Sequence, residues 1–146
     1  MNPPAKKRLM VSPEEGLDHA LSDLKLAKLG KEDPDILPEQ ICFHAQQAVE
    51  KAFKAVLLFS KADFPLTHDI QELIEVCEEA GIALPEDLKE VDVLTPYAVE
   101  TRYPGYWEAI TEMDKEEAIQ LADKVLDWAK ALIPKTKIKE IPSSLQ

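Results

Sequence analysis

The sequence predicts an all-α protein: an antiparallel up-and-down bundle of four main helices plus one shorter helix. Apolar residues recur every three or four positions in five segments, which is the spacing of one helix face. Residues that favour helix ends, including many of the prolines, stand between these segments. Only four glycines occur among the 146 residues, and no alternating strand pattern is present, so a turn-rich β fold is disfavoured.

The first predicted helix covers residues 13–29. Ser12 is expected to cap it, proline suits its first position, and Glu15 completes a capping box. Leucine and alanine then recur at helical spacing until Gly30. We expect this glycine to end the helix.

The second predicted helix covers residues 39–60 and is about 33 Å long at 1.5 Å per residue. Its apolar stripe is the broadest in the chain, which is typical of a central helix that contacts two neighbours or a second subunit. We expect a homodimer from this stripe and from Trp128, which suits either the core or a dimer contact. The stripe consists of Ile41, Ala45, Ala48, Val49, Ala52, Val56 and Phe59.

The third and fourth predicted helices cover residues 69–80 and 86–102. Asp69 is the expected cap of the third helix, and Gly81 its stop. Pro96 is expected either to kink the fourth helix or to restart it.

The last predicted helix covers residues 115–133, with Asp114 as its cap. The helices together make one domain at residues 12–133. We expect a flexible basic tail at 1–11 and a flexible tail at 134–146.

The formal net charge is −11, and the two tails hold six of the seventeen basic residues but one of the 28 acidic residues, so the domain itself is strongly acidic. Such a domain repels phosphate backbones, and we expect no non-specific nucleic-acid binding. A small basic pocket still suits a single nucleotide. The chain has no uncharged apolar run of about 18 residues and no signal peptide, so we expect a cytoplasmic protein without a membrane partner.

The cysteine and histidine positions predict no metal site. Cys42 and Cys77 lie on apolar faces, and antiparallel packing of the second and third helices should bring them close together, buried and reduced. The same packing should place His44 and His68 at opposite ends of the bundle, too far apart to share a metal ion.

Three segments together resemble one known family. The stretch 43–57, FHAQQAVEKAFKAVL, is similar to the second helix of HEPN domains, and the segments 67–70, THDI, and 101–104, TRYP, match further parts in the same order. The resemblance implies a bundle of four main helices, usually a homodimer. It also implies a role in nucleotide or RNA handling, often beside a minimal nucleotidyltransferase partner.

The sequence departs from the ribonucleases of this family. Those enzymes carry an arginine followed after four to six residues by a histidine. Arg102 matches the arginine, but Trp107, Glu108 and Ala109 stand at the histidine positions, and no histidine follows His68. Since RNA cleavage needs a group that moves protons near neutral pH, we expect no catalytic residue.

Two other functions stay open at this point: a ribonuclease toxin of a toxin–antitoxin pair that has replaced the histidine, and a purely structural interaction dimer. No cofactor is expected. For each candidate residue a structural role is the alternative. This role is a cap at the end of the fourth helix for the arginine, an aromatic linker packed over a bundle end for Tyr103, and a solvated helix face for the residues of the second helix. The candidate ligand-binding residues are Arg102, Lys51, Gln47, Glu50, Lys54, His44 and Tyr103.

Overall fold

The computed structural model describes residues 12–98 and 109–134. These residues form four α-helices and one 3₁₀ helix, with no strand among them, so the all-α prediction is confirmed. The expected tails, apart from Pro134, lie outside the described residues, as do Arg102, Tyr103 and the end of the fourth predicted helix. The helices are α1 (Pro13–Lys31), α2 (Pro38–Phe59), α3 (Ile70–Glu79), the 3₁₀ helix (Glu86–Ala98) and α4 (Glu112–Leu132).

Helix α2 is the central element, since it contacts each of the other four helices. Its predicted stripe is buried apart from Phe59. Trp128 of α4 packs on Phe53 with ring centroids 5.2 Å apart, and its indole N–H donates to the carbonyl of Ala83 at 3.2 Å. Both features that suggested a homodimer are therefore used within the chain. The homodimer stays a prediction.

Helices α1 and α4 run antiparallel. Lys28 Nζ lies 2.8 Å from Asp123 Oδ1, and Lys31 Nζ lies 3.2 Å from Glu116 Oε2. The end of α1 therefore lies beside the first half of α4, and the end of α4 points back toward the start of α1.

The α1 boundaries confirm one expectation and correct another. The Ser12 hydroxyl accepts a hydrogen bond from the Glu15 amide at 3.1 Å, as a cap should. Gly30, however, does not end the helix, which continues to Lys31. A Cβ at Gly30 would lie 3.1 Å from Ile36 Cγ2 and 3.2 Å from Ile41 Cγ1, so this glycine serves the close approach of the following loop and α2.

The start of α4 was predicted one turn too late. Thr111, not Asp114, is the cap, and its hydroxyl accepts from the Asp114 amide at 3.0 Å. Asp114 is the third helical residue, and its carboxylate accepts from the Thr111 amide at 2.9 Å. The two residues therefore complete a reciprocal capping box.

The fourth predicted helix is a 3₁₀ helix, not an α-helix, over Glu86–Ala98. Its three buried residues, Leu88, Val91 and Leu94, stand three positions apart. A 3₁₀ helix has three residues per turn, so this spacing aligns the three side chains on one face against the core. Pro96 lies inside the helix.

Both cysteines are free and fully buried. Cys42 lies beside Tyr97, whose pKa is raised to about 12, first by burial and then by this thiol. The closeness of Cys42 to Cys77 stays a prediction. Within the described residues, no helix is long and apolar enough to cross a membrane.

Candidate functional site

Polar side chains occupy one face of the central helix, beside its apolar stripe. Three- and four-residue steps align the members along the face for nearly three turns of helix. We call this set the α2 polar face. It consists of His44, Gln46, Gln47, Glu50, Lys51 and Lys54.

One half of the α2 polar face is organised by Asp23 of α1. Oδ1 of Asp23 lies 2.9 Å from Nδ1 of His44, and Oδ2 lies 2.6 Å from Nζ of Lys51. The carboxylate is buried, whereas both of its partners are partly exposed. Asp23 therefore fixes an imidazole and an ammonium group at the seam between α1 and α2.

The other half is organised by Glu50, which is only 4% exposed. Its Oε2 accepts from Nζ of Lys54 at 2.7 Å. Its Oε1 accepts from Nδ1 of His68 at 2.9 Å and from Nε2 of Gln46 at 3.1 Å. The Glu50–Lys54 pair has the four-residue spacing of neighbours on one helix face, and it is buried at its carboxylate end.

The charge of Glu50 survives its burial. Desolvation alone raises the pKa of this carboxyl group, because it disfavours the ionised form. The hydrogen bonds from Lys54 and His68 act in the opposite direction and outweigh burial, so the pKa of Glu50 lies below its ordinary value. Glu50 is therefore an anion at neutral pH, and it accepts hydrogen bonds from the ammonium group of Lys54 and the imidazole of His68.

Gln46 links the helix to the loop before α3. Its side chain is fully buried, and Nε2 donates to Glu50 Oε1 and, at 3.4 Å, to the carbonyl oxygen of His68. Its Oε1 accepts from Nε2 of Gln47 at 2.8 Å. Both ends of the amide are thus hydrogen-bonded, as a buried amide requires.

The site has the chemistry of a polar recognition surface. An ammonium group carries three N–H donors, so Lys51 and Lys54 each keep donors beyond those given to the carboxylates. Two carboxylates and two ammonium groups cancel in formal charge. Among the described residues no group of histidine, cysteine and acidic side chains has the arrangement of a metal site.

The structure brings together the five predicted site residues that it describes: His44, Gln47, Glu50, Lys51 and Lys54. The solvated-face alternative is wrong for Glu50, because its carboxylate is buried. Arg102 and Tyr103 lie outside the described residues, so their part in the site stays a prediction.

The expected placement of His68 is wrong. It was placed at the opposite end of the bundle from His44. Its carbonyl oxygen instead lies 3.4 Å from Nε2 of Gln46, only two residues along α2 from His44. The loop after α2 folds back along the helix and brings His68 to its middle, whereas the expectation treated the two helices as running full length past each other.

Sequence reasoning missed Asp23, Gln46 and His68 as members of the site. The first two carry a readable signal, because each stands at an apolar position of its helix: Asp23 lies between Ala20 and Ala27, and Gln46 lies between Cys42 and Val49. A polar residue in a core stripe needs a buried partner. His68 carries no such local signal, since its contact with Glu50 spans a loop.

Comparisons with known proteins agree with this architecture. A model of the HEPN domain matches residues 14–132. The crystal structure of TT1696 from Thermus thermophilus is 31% identical with a TM-score of 0.73, over 85% of this chain and 100% of that one. The structure of ST0689, described as an archaeal HEPN homologue, is 29% identical with a TM-score of 0.67, over 84% of this chain and 98% of that one.

A comparison with curated proteins found no match. The family match covers most of the chain, including the whole α2 polar face, and both solved structures share its helical bundle. The chain belongs to the HEPN domain family.

Proposed function

We propose that this protein is a non-catalytic HEPN binding protein. It binds a nucleotide or an RNA end through the α2 polar face together with Arg102, or it uses the same surface with a minimal nucleotidyltransferase partner. The nucleotide and the RNA end share a phosphate group. A homodimer is part of the proposal, because dimers are usual among HEPN proteins.

One observation carries the proposal: Lys51 and Lys54 are both held on one face of α2 by buried carboxylates. The two residues are separated by about 4.5 Å along the helix axis. Each ammonium group is fixed by a short ion pair, to Asp23 at 2.6 Å and to Glu50 at 2.7 Å. Because these long side chains are already ordered, binding a ligand costs them less conformational entropy.

The charge balance of the face explains why Arg102 belongs in the proposal. Lys51 and Lys54 are neutralised by Asp23 and Glu50, so the face alone offers donors without net positive charge. A guanidinium group keeps its charge at every working pH and binds planar anions through two hydrogen bonds. Arg102 stands at the family position and supplies the missing charge.

The non-catalytic part rests on the histidines. The chain has none after His68, and the two that belong to the site, His44 and His68, are each hydrogen-bonded to a carboxylate. Neither matches the family position that follows the arginine. A ribonuclease toxin with a replacement proton carrier is the alternative that an activity assay must test.

The experiment has two arms. Purified protein is incubated with single-stranded RNA, and its melting temperature is measured with ATP, GTP and a 5′-phosphorylated oligoribonucleotide. We expect intact RNA and a raised melting temperature with at least one compound, because a ligand of the native state stabilises it. Cleavage that is lost in Arg102→Ala would instead establish the toxin alternative.

A second candidate, a structural role, is favoured by a specific observation. His44, Gln47, Lys51 and Lys54 all have partners within the chain. In this interpretation the face serves only to hold α1, α2 and the loop before α3 together through hydrogen bonds and ion pairs. No melting-temperature shift with any of the compounds, together with strong destabilisation by substitutions in the face, is the result expected for it.

A further inference from the structure

A second surface lies at the junction of α1 and α2 and adjoins the α2 polar face, with which it shares His44. A groove of about 350 Å³ is lined mainly by aliphatic side chains from the end of α1, the following loop and the start of α2. Leu26, Ile36 and Leu37 are 49%, 39% and 60% exposed. Aliphatic groups clustered around one concave site usually mark a place where another segment binds. We call it the α1–α2 groove.

Acidic residues dominate the loop that forms one wall of the α1–α2 groove. Glu32, Asp33 and Asp35 of this loop and Glu39 at the start of α2 are all exposed, and Asp35 lines the groove itself. The chemistry that fits is therefore an apolar side chain flanked by basic residues.

A second copy of the same groove does not have this chemistry. In a two-fold symmetric contact the same patch meets itself. Glu32, Asp33, Asp35 and Glu39 of one copy would then face the same four acids of the other. Like charges brought together in this way oppose association.

The chain itself contains two basic segments with apolar residues. The distance that each segment can span decides which of them can reach the groove. The first has Leu9 three residues before Ser12, so it spans about 10 Å when extended. Leu26 lies fourteen residues into the helix from Ser12, about 21 Å away at 1.5 Å per residue. The apolar residues that adjoin its basic cluster, Leu9 to Val11, are therefore too close to Ser12 to reach the groove.

The C-terminal segment is long enough. The Lys28–Asp123 ion pair shows that Asp123 of α4 lies beside the end of α1, near the groove. The end of α4 at Leu132 lies nine residues further on, about 14 Å away along the axis. Leu26 and Lys28 point to opposite sides of α1, so the segment must also cross a helix about 10 Å wide. Ile141 lies seven residues beyond Pro134 and spans about 23 Å when extended.

We propose that the C-terminal segment 135–146 of the same chain docks in the α1–α2 groove. Ile141 enters between the exposed aliphatic side chains, and Lys137 and Lys139 pair with the acidic loop. Docking covers the apolar groove and neutralises part of the loop. The groove shares one residue, His44, with the α2 polar face, and the contacts proposed for the segment do not involve it.

The test is zero-length carbodiimide cross-linking of the full chain, followed by mass spectrometry. The reagent joins a lysine amine to a carboxylate only where the two are in contact. We expect links from Lys137 or Lys139 to Asp33, Asp35 or Glu39. Mixing ¹⁵N-labelled and unlabelled protein separates links within one chain from links between two chains.

Three variants make the result decisive. Ile141→Ser keeps every charge, and we expect it to lower the yield of these links by at least about fivefold, because it removes the apolar anchor. Leu37→Ser should do the same from the groove side. Leu66→Ser changes an exposed leucine outside the groove lining and should leave the yield unchanged.

Several outcomes overturn the proposal. An absence of links to the acidic loop, or a yield that Ile141→Ser does not change, means that the segment does not dock there. Links only between labelled and unlabelled chains mean that the segment of another copy is the occupant. These outcomes are measured as cross-links to acidic residues, so failure of this proposal is distinguishable from failure of ligand binding at the α2 polar face.

Discussion

The Nδ1 atom of His68 lies 2.9 Å from Oε1 of Glu50, although eighteen residues separate them in the chain. The imidazole of His68 is largely exposed, whereas Glu50 is only 4% exposed. The pair therefore joins a surface group to a buried one. Lys54 holds the other oxygen of the same carboxylate at 2.7 Å. Glu50 thus ties the loop before α3 to the centre of α2, and its contribution to stability depends on its charge.

Replacing Glu50 by glutamine should lower the free energy of unfolding at pH 7 by about 1–3 kcal/mol, because the hydrogen bonds to His68 and Lys54 lose their anionic acceptor. The pKa of Glu50 is lowered from its ordinary value of 4.5. Its contribution is therefore complete above that pH and is lost as the pH falls through the lowered pKa. Urea unfolding of wild type and Glu50→Gln at several pH values should show a difference that shrinks in acid.

The control for that experiment is Glu116→Gln. Glu116 pairs with Lys31 at 3.2 Å, but its side chain is half-exposed. A surface pair of this kind contributes about 0–1 kcal/mol. If Glu116→Gln costs as much as Glu50→Gln, or if the Glu50→Gln difference does not depend on pH, burial of the carboxylate is not what makes the contact strong.

Asp23→Asn tests the other half of the α2 polar face. The substitution keeps the shape of the side chain but weakens its contacts with His44 and Lys51, and we expect a loss of about 1–3 kcal/mol in the free energy of unfolding. Asp123→Asn is the matched control, because Asp123 makes a 2.8 Å ion pair with Lys28 on the exposed surface. We expect the control to cost less than about 1 kcal/mol. Equal costs in chemical denaturation would contradict the role assigned to Asp23.

The packing of the 3₁₀ helix can be tested at two valines that stand two positions apart. Val91 is fully buried, whereas Val93 is 52% exposed. Val91→Ala should cost about 2 kcal/mol, since it removes two buried methyl groups worth about 0.8 kcal/mol each and leaves a cavity. Val93→Ala should change stability by less than about 0.5 kcal/mol. The opposite order would show that this segment packs with a different face toward the core.

The thiols should be nearly inert in the native protein. Burial raises the pKa of Cys77 from 9.0 to about 12. Because the thiolate is the reactive form, this shift alone slows alkylation about a thousandfold. Mass spectrometry of iodoacetamide-treated protein at pH 8 should show slow modification of Cys77 in buffer and rapid modification in urea. Rapid native labelling would contradict its burial.

The helices could be predicted from the sequence because each apolar stripe has a local period. Residues 70–77 show this most simply, since Ile70, Leu73, Ile74 and Cys77 recur at helical spacing and are all buried. Errors arose where two local signals competed. Asp114 was taken as a cap although Thr111 stands three residues earlier, and the three-residue period of Leu88, Val91 and Leu94 was interpreted as α-helical.

The site could be predicted only in part. The alignment of His44, Gln47, Lys51 and Lys54 follows from helix periodicity, so these residues were found. The burial of Glu50 was not, because it depends on how closely α1 and the loop before α3 approach α2. The contact between Glu50 and His68 depends on the path of a ten-residue connection, which no local pattern specifies.

The most direct test of the central claim is a calorimetric titration of ATP, GTP and a 5′-phosphorylated oligoribonucleotide into wild type, Arg102→Ala, Lys51→Ala and the surface control Lys89→Ala. We predict that wild type binds at least one of these compounds. Arg102→Ala should weaken binding more than tenfold, since losing one partner of a hydrogen-bonded charge contact costs about 2–5 kcal/mol. Lys51→Ala should weaken it as well, and Lys89→Ala should match wild type within about twofold. Binding that is equal in all four proteins, or absent from wild type, would contradict the claim that the α2 polar face and Arg102 form a phosphate-binding site.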